Sequence, residues 1–362
     1  MEKVECLVVG AGVIGLACAR ALAEAGREVI VVERNDVIGA ETSSRNSEVV
    51  HAGIYYSTGS VKARLCVAGK QKLYDYCDNR GVPYRRCGKI IVATDPAQIE
   101  VLQGYHSQAE SNGVALSWLD ENALHELEPQ LQAVVGLLSE TTGIVDSHAF
   151  MLSLRGDLER AGATIAFNTE VLDLQHILPR GDRIAVTTDS VTMACRWLIN
   201  CAGLRAPDLA RQLVPDAPVA FYARGHYYAY SGRPPFSHLI YPVAEPGGLG
   251  VHVTLDMAGQ VKFGPDVVWL DDIDYSFDES RKESFVEAIR HYYPGLDPHR
   301  LHPSYTGIRP KITGPGEPAG DFRIHGPQLH GIAGLINLLG IESPGLTASL
   351  AIAEAVAAQV AR

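Results

Sequence analysis

The chain has 362 residues, 46% of them hydrophobic, enough to bury a substantial core shared by two closely connected domains and to exclude a disordered protein. With 42 acidic against 31 basic residues its formal charge is −11, which disfavours nucleic acid as a partner, because binding phosphates needs a concentrated basic surface. An anionic small molecule as substrate would require cations gathered locally.

The first 34 residues read strand, tight turn, helix, strand. Val4 to Val9 forms an apolar run, Gly10-Ala11-Gly12-Val13-Ile14-Gly15 a glycine loop, Leu16 to Ala25 a helix stopped at Gly26, and Val29 to Val32 a second strand. The run from Cys6 to Val9 resembles a short secretory core after Lys3, but it leads into glycines and a periodic helix and is read as a buried strand. A helix is expected over Ser60 to Asn79, broken by Gly81 and Pro83, then a strand over Gly88 to Ala93. Pro96 to Ser111 and Glu121 to Glu128 read as solvated helices. A helix from Ala149 to Arg160 precedes strands at Thr164–Phe167, Val171–Gln175, Ile184–Thr188 and Trp197–Asn200, a return to the opening pattern.

From about residue 219 to 270 aromatic and β-branched residues rise, and Phe221–Tyr230, His238–Val243, Leu249–Thr254 and Gln260–Gly264 read as antiparallel strands able to wall a pocket. Asp271-Asp272-Ile273-Asp274 begins a loop and lacks the spaced pattern of a Ca²⁺ site. Near the end, Ser343 reads as an N-cap and Pro344 as the first position of a helix to about Val360. No apolar stretch reaches the ~18 residues of a membrane span, which leaves peripheral membrane contact open. Cys6, Cys18, Cys66, Cys77, Cys87, Cys195 and Cys201 form no C-x-x-C pair and no metal-like spacing; an odd, scattered set suits a reducing, cytoplasmic setting, including the inner face of a membrane. No metal is expected.

Each glycine of the loop has a steric reason. Gly10 allows the tight turn, Gly12 lets a pyrophosphate approach the backbone, and Gly15 lets the helix pack on the sheet. Glu33 ends the second strand, where a carboxylate can accept hydrogen bonds from both ribose hydroxyls. The fingerprint serves FAD and NAD alike, and three later features favour FAD. Thr42, Ser43, Ser44, Arg45, Asn46 and Ser47 supply hydroxyls, an amide and a cation along the cofactor. Trp197 to Asn200 ends in the small residues Cys201-Ala202-Gly203, allowing a second backbone approach. The helix beginning at Ser343 would direct its positive end toward a flavin, whose reduced form is anionic.

At these residues the chain resembles the D-amino-acid oxidase superfamily of FAD-dependent oxidoreductases, and within it the L-2-hydroxyglutarate dehydrogenase/oxidase family. The closer resemblance rests on Ser43-Ser44-Arg45-Asn46-Ser47-Glu48-Val49-Val50-His51-Ala52-Gly53-Ile54-Tyr55-Tyr56, Gly59-Ser60-Val61-Lys62-Ala63, Arg224-Gly225-His226-Tyr227-Tyr228, Leu239-Ile240-Tyr241-Pro242-Val243, Leu249-Gly250-Val251-His252-Val253-Thr254 and Gly264-Pro265. It implies an α/β fold, α+β overall, with a Rossmann-like FAD-binding domain (1–85, 145–215 and 305–362) interleaved with a substrate domain (86–144 and 216–304) on a mostly antiparallel sheet. It also implies cofactor contacts from Gly10, Gly12, Val13, Ile14, Gly15, Glu33, Arg34, residues 42 to 47, His51, Val171, Cys201, Ala202, Gly203, Arg309, Ser343, Pro344, Gly345, Leu346 and Thr347.

Oxidation of a 2-hydroxy acid moves a hydride from the carbinol carbon to flavin N5 and the hydroxyl proton to a base. His51, beside the expected flavin, and His252, ending a strand of the pocket sheet, are the candidate bases, since a neutral imidazole titrates near the working pH. Covalent attachment of the flavin is a further role open to His51. Arg309, within Gly307-Ile308-Arg309-Pro310, is the candidate clamp on the substrate carboxylate, because its planar fork matches that group; the competing reading is a surface arginine after a turn. Tyr55 and Tyr241 could donate further hydrogen bonds. Without a second G-x-G-x-x-G, electrons are expected to leave to oxygen, a quinone or a protein carrier. L-2-hydroxyglutarate is the leading substrate; the alternatives are an amine or amino-acid oxidase and, in a different class, a non-catalytic flavin-binding protein.

Overall fold

The computed structural model describes residues 2–177, 183–243 and 250–361. Five strands run parallel at the centre of the first sheet, in the order Thr164–Ala166, Val29–Val32, Glu2–Val9, Thr192–Asn200 and Leu335–Leu339. The hairpin of Val171–Ile177 and Arg183–Thr188 extends it antiparallel from the first half of Thr192–Asn200, and Arg323–His325 pairs antiparallel with Leu335–Leu339. Buried on both faces, Leu7, Val8, Val31 and Ile199 explain why the strands read as continuous apolar runs rather than alternations. The helices Val13–Glu24, Ser147–Arg160, Val61–Arg80 and Gly345–Val360 contribute to the core on one side, around Leu16, Leu73, Phe150 and Ile352.

The second sheet is mixed and mostly antiparallel. Its order is Val268–Leu270, Phe221–Tyr230, Val261–Phe263, Val253–Leu255, Leu239–Pro242, Lys89–Ala93, Val135–Ser139 and Ser117–Asp120, with Leu301–Lys311 paired along Phe221–Tyr230. Among the described residues, only Leu239–Pro242 and Lys89–Ala93 are parallel neighbours in it. The chain therefore passes back and forth between a nucleotide-type sheet and a pocket sheet, the interleaved α/β architecture expected.

Three local readings are corrected. Strand Leu301–Lys311 was not anticipated, and the expected division at residue 305 falls inside it; because the strand pairs with Phe221–Tyr230 along its length, the chain leaves the pocket sheet only after Lys311. His252 does not end a strand: Gly250 to His252 precede Val253–Leu255, with the His252 carbonyl accepting Gly264 N–H at 2.9 Å, while Leu249 lies outside the described residues. The last helix begins at Gly345, and Ser343 does not cap it, because its hydroxyl is turned to His51 instead.

Candidate active site

The parallel strands of the first sheet aim their carboxyl ends at one crevice, where open α/β sheets bind ligands. Gly10 makes the turn there at φ +99°, a conformation strained for any L side chain, and a Cβ would lie 2.6 Å from the Cys201 carbonyl oxygen. Ala11 N–H donates to Glu33 Oε2 at 2.8 Å and Asn35 N–H to Oε1 at 2.9 Å, fixing that buried carboxylate at the strand end. Val13 N–H donates to Ser43 Oγ at 3.0 Å, which draws the segment 42 to 47 over the first turn of the helix.

Two adjoining cavities occupy the crevice. One of about 130 Å³ is bounded by Glu33, Arg34, Val171 and Ala202; the other, of about 290 Å³, by Val13, Ile14, Cys201, His51, Tyr241, His252, Arg309 and the 343 to 346 segment. They share Gly12, Thr42, Ser43 and Gly203 as walls. This elongated shape, a glycine cradle that a Cβ would fill, backbone donors at a helix start and a carboxylate at the far end fit a dinucleotide. Glu33 and Val171 could hold its adenosine end, Gly12 and Ser43 its pyrophosphate, and Pro344 to Leu346 the ring end.

Not every expected contact lies on the wall. Ser44 is exposed, with its hydroxyl donating to the Glu41 carbonyl at 3.2 Å, whereas Arg34 stays on the wall of the smaller cavity while paired with Glu41. Gly15 and Thr347 stand behind the wall. Thr347 Oγ1 accepts His51 N–H at 2.9 Å and donates to the Val49 carbonyl at 3.2 Å, so it positions the histidine segment against the C-terminal helix.

At the ring end, His51 Nε2 and Ser343 Oγ are 3.1 Å apart. The His252 ring stacks on Tyr241, with centroids 3.7 Å apart and planes 9° from parallel. Burial, then the Lys89 cation and the neighbouring His252, lower the His51 imidazole to about 3. Burial, Lys89 and Arg309 lower His252 to about 3 as well, so both rings are neutral at physiological pH. Arg309 lies mid-strand rather than after a turn. Its Nη2 donates to the Asp266 carbonyl at 3.1 Å and Nη1 to the Ala223 carbonyl at 3.4 Å, which aims the guanidinium along the cavity wall with further N–H donors left over. Gly307, on the same strand, takes its place because a Cβ there would lie 2.1 Å from the Arg45 carbonyl oxygen.

Sequence reasoning missed several residues. Tyr227 lines the cavity and shares a 2.9 Å hydrogen bond with Ser47 Oγ. Asp266, buried, accepts His226 N–H at 2.7 Å, His226 Nδ1–H at 2.9 Å and Arg281 Nε–H at 2.6 Å, and so fixes the loop whose carbonyl holds Arg309. Lys89 is 1% exposed, with its ammonium 4.6 Å from the Tyr55 ring centre and 4.7 Å from that of Tyr241. Burial lowers it to about 7. Tyr55 itself stands off the cavity wall, edge-on to Tyr105 at 5.0 Å, and its ring faces Lys89. The signal for Lys89 was present: one charged residue opening the wholly apolar strand Ile90-Ile91-Val92-Ala93.

A dinucleotide crevice joined to a pocket of neutral imidazoles and a guanidinium is the arrangement of a flavin oxidoreductase, and comparison with known proteins agrees. The FAD-dependent oxidoreductase (DAO) family profile matches residues 5–359, and the chain belongs to that family. The chain is 42% identical to the mitochondrial L-2-hydroxyglutarate dehydrogenase of Arabidopsis thaliana over 98% of its own length and 83% of the relative's. It is 30% identical to the L-2-hydroxyglutarate dehydrogenase of Escherichia coli K12, over 72% of this chain and 63% of that one. Among solved structures it is similar to the FAD-bound L-α-glycerophosphate oxidase of Mycoplasma pneumoniae, at 25% identity and a TM-score of 0.89, covering 99% of this chain and 95% of that one. The fold is shared with glycine oxidase from Geobacillus kaustophilus at 20% identity and a TM-score of 0.85, covering 100% and 95% of the two chains. Its cofactor is FAD. Among the described residues no helix is long and apolar enough to cross a membrane.

Proposed function

We propose that this protein oxidises L-2-hydroxyglutarate, or a closely related 2-hydroxy acid, to the corresponding 2-oxo acid. The observation that carries the reading is the pair of neutral imidazoles, His51 and His252, on one cavity wall with Arg309, at the ring end of the dinucleotide crevice. FAD, when bound, supplies a hydride acceptor for the carbinol carbon. The remaining work falls to the chain. Arg309, held by two backbone carbonyls, offers its free N–H groups to the carboxylate beside the carbinol, a charge-assisted contact that fixes the C–H direction. One imidazole takes the hydroxyl proton as the C=O bond forms, and Tyr241, stacked on His252, keeps that ring's plane fixed. Ser343 orients His51 through the hydrogen bond between its hydroxyl and Nε2.

The acceptor that reoxidises the enzyme is read as oxygen, a quinone or a protein carrier, since the chain has no second glycine triplet for a nicotinamide. Seven free cysteines suit a reducing compartment such as the cytoplasm. The test is anaerobic mixing of the yellow holoprotein with L- and D-2-hydroxy acids. Bleaching of the flavin absorbance by L-2-hydroxyglutarate and not by its D enantiomer is expected, with the affinity reduced roughly a hundredfold in Arg309→Met. Bleaching by amines or amino acids, with the 2-hydroxy acids inert, would install an amine or amino-acid oxidase in its place, and bleaching by nothing a non-catalytic flavoprotein.

A further inference from the structure

Lys89 has no place in a reaction that needs one clamp and one base, and its surroundings are unusual. It opens a strand buried along its whole length, between Leu239–Pro242 and Val135–Ser139, at a position where the pattern calls for an apolar residue. An ammonium removed from water carries a large desolvation penalty unless an anion or hydrogen-bonding group compensates. Here, among the described residues, no carboxylate pairs with it, and its neighbours are the faces of Tyr55 and Tyr241 at 4.6 and 4.7 Å. Ring faces recover only part of that penalty. With the group lowered to about 7, part of the charge is kept in neutral solution, and among the described residues no protein anion matches it.

Its position relative to the cavity gives it a use. Tyr241, whose ring it faces, and His252, stacked on that ring, are both cavity wall. His252 is within electrostatic range of Lys89 and of Arg309, and His51 is within range of Lys89. Lys89 is not itself cavity wall; it stands behind the Tyr241 ring, so two cations flank the same imidazole, Arg309 on the wall and Lys89 one ring behind it. Arg309 is anchored on the Ala223 and Asp266 carbonyls, and Lys89 stands on the Tyr241 side. A ligand with one carboxylate satisfies Arg309; a second carboxylate meets Lys89 once its flexible side chain swings past the edge of the Tyr241 ring into the cavity.

Resting on the function proposed above, we infer that Lys89 is the specificity-determining cation of the site, pairing with the second carboxylate of a dicarboxylic 2-hydroxy acid while Arg309 holds the first. The tyrosine pair then acts as a cation cradle in the substrate-free protein, keeping the ammonium in place until the anion arrives. Selectivity arises because a ligand ending in a methyl group leaves the buried ammonium unmatched, and a site built for a charged group rejects the analogue lacking it far more strongly than an apolar pocket rejects a change in size.

The experiment compares L-2-hydroxyglutarate with L-2-hydroxypentanoate, the same carbon chain ending in methyl, by anaerobic flavin reduction of the holoenzyme. Wild type is expected to prefer the diacid on the order of a hundredfold or more in kcat/KM, and Lys89→Met to bring that ratio close to one, mainly through KM for the diacid. Because a change in the imidazoles acts on both acids, it cancels in the ratio. Lys89→Arg is expected to restore part of the preference. A preference that survives Lys89→Met, whatever the absolute loss of activity, overturns the assignment. If the variants do not fold, wild type alone decides: equal use of the two acids overturns the role of Lys89 while leaving 2-hydroxy-acid oxidation standing, whereas failure of both acids to reduce the flavin refutes the underlying function and this role with it.

Discussion

The two cavity histidines carry the chemistry at the scale of single residues, and their state follows from their surroundings. An imidazole in water is half protonated near pH 6.5, which would leave a base partly disabled in mildly acidic solution. Burial and the Lys89 and Arg309 charges disfavour the imidazolium, so both rings remain neutral down to about pH 3. The rate of flavin reduction at saturating substrate is therefore expected to stay level from pH 8 to pH 5. An acid limb centred near 6.5 that disappears in His51→Ala or His252→Ala would contradict that state. Removing both rings should slow reduction by roughly 10²–10⁴-fold, the usual contribution of a positioned base, and stopped-flow traces of the double variant would measure it; normal reduction would exclude both rings as the base.

At the scale of elements, the site depends on how loops are tied to strands. Asp266 shows this most clearly. Burial alone would raise its carboxyl, yet the hydrogen bonds from His226 and the charge of Arg281 hold it below the ordinary carboxylate range. The same residue's carbonyl receives Arg309. Asp266→Ala leaves Arg281 and the His226 N–H groups without their acceptor, and should destabilise the fold by about 3–5 kcal/mol, as loss of one partner from a buried pair does. Urea unfolding would read that, and KM should rise more than kcat falls because the Arg309 support loosens; an unfolding midpoint within error of wild type would refute the account. Such ties are poorly visible in sequence. Phe221–Tyr230 was legible to the residue because its aromatic and β-branched content is a local signal. Leu301–Lys311 was not, because Pro303, Gly307 and Pro310 read as breakers. The strand tolerates them because among the described residues it lies at an edge, paired on one side with Phe221–Tyr230, and a missing N–H on the open side leaves no ladder bond broken. The glycine loop and Glu33 were legible for the opposite reason, since strand, turn, helix and acid lie within one short stretch. Lys89 acquires its meaning only from Tyr55 and Tyr241, brought from distant parts of the chain.

For the whole molecule, the buried titratable groups act on stability in one direction below neutrality. His51 and His252 each bind no proton in the folded protein until about pH 3, while the unfolded chain takes one up through 6.5. Asp266 and Glu342 are held down in the folded state, Glu342 because the Lys62 and Lys311 charges outweigh its burial, so the unfolded chain again protonates first as pH falls. Lys89, lowered from 10.5 to about 7, adds the same sign from pH 7 upward, because the unfolded chain then binds the proton the folded one has released. Wherever the unfolded state holds more protons, stability rises with pH. Alkaline solution brings the reverse. Cys6, Cys66 and Cys77 are pushed by burial from 9.0 to about 12, so above pH 9 the unfolded chain loses protons that the folded one keeps, and stability falls. The unfolding free energy should therefore climb from pH 5 to a maximum between about 7.5 and 9, on the alkaline side of the common range, and decline beyond it. The two imidazoles together should account for a loss on the order of 2–4 kcal/mol at pH 5 relative to pH 7.5. Urea denaturation at half-unit intervals from pH 5 to 10 measures the curve, and His51→Ala with His252→Ala should flatten its acidic side. A maximum at or below pH 6 would mean that these rings are protonated in the folded protein, and would remove the electrostatic basis on which they are read as bases.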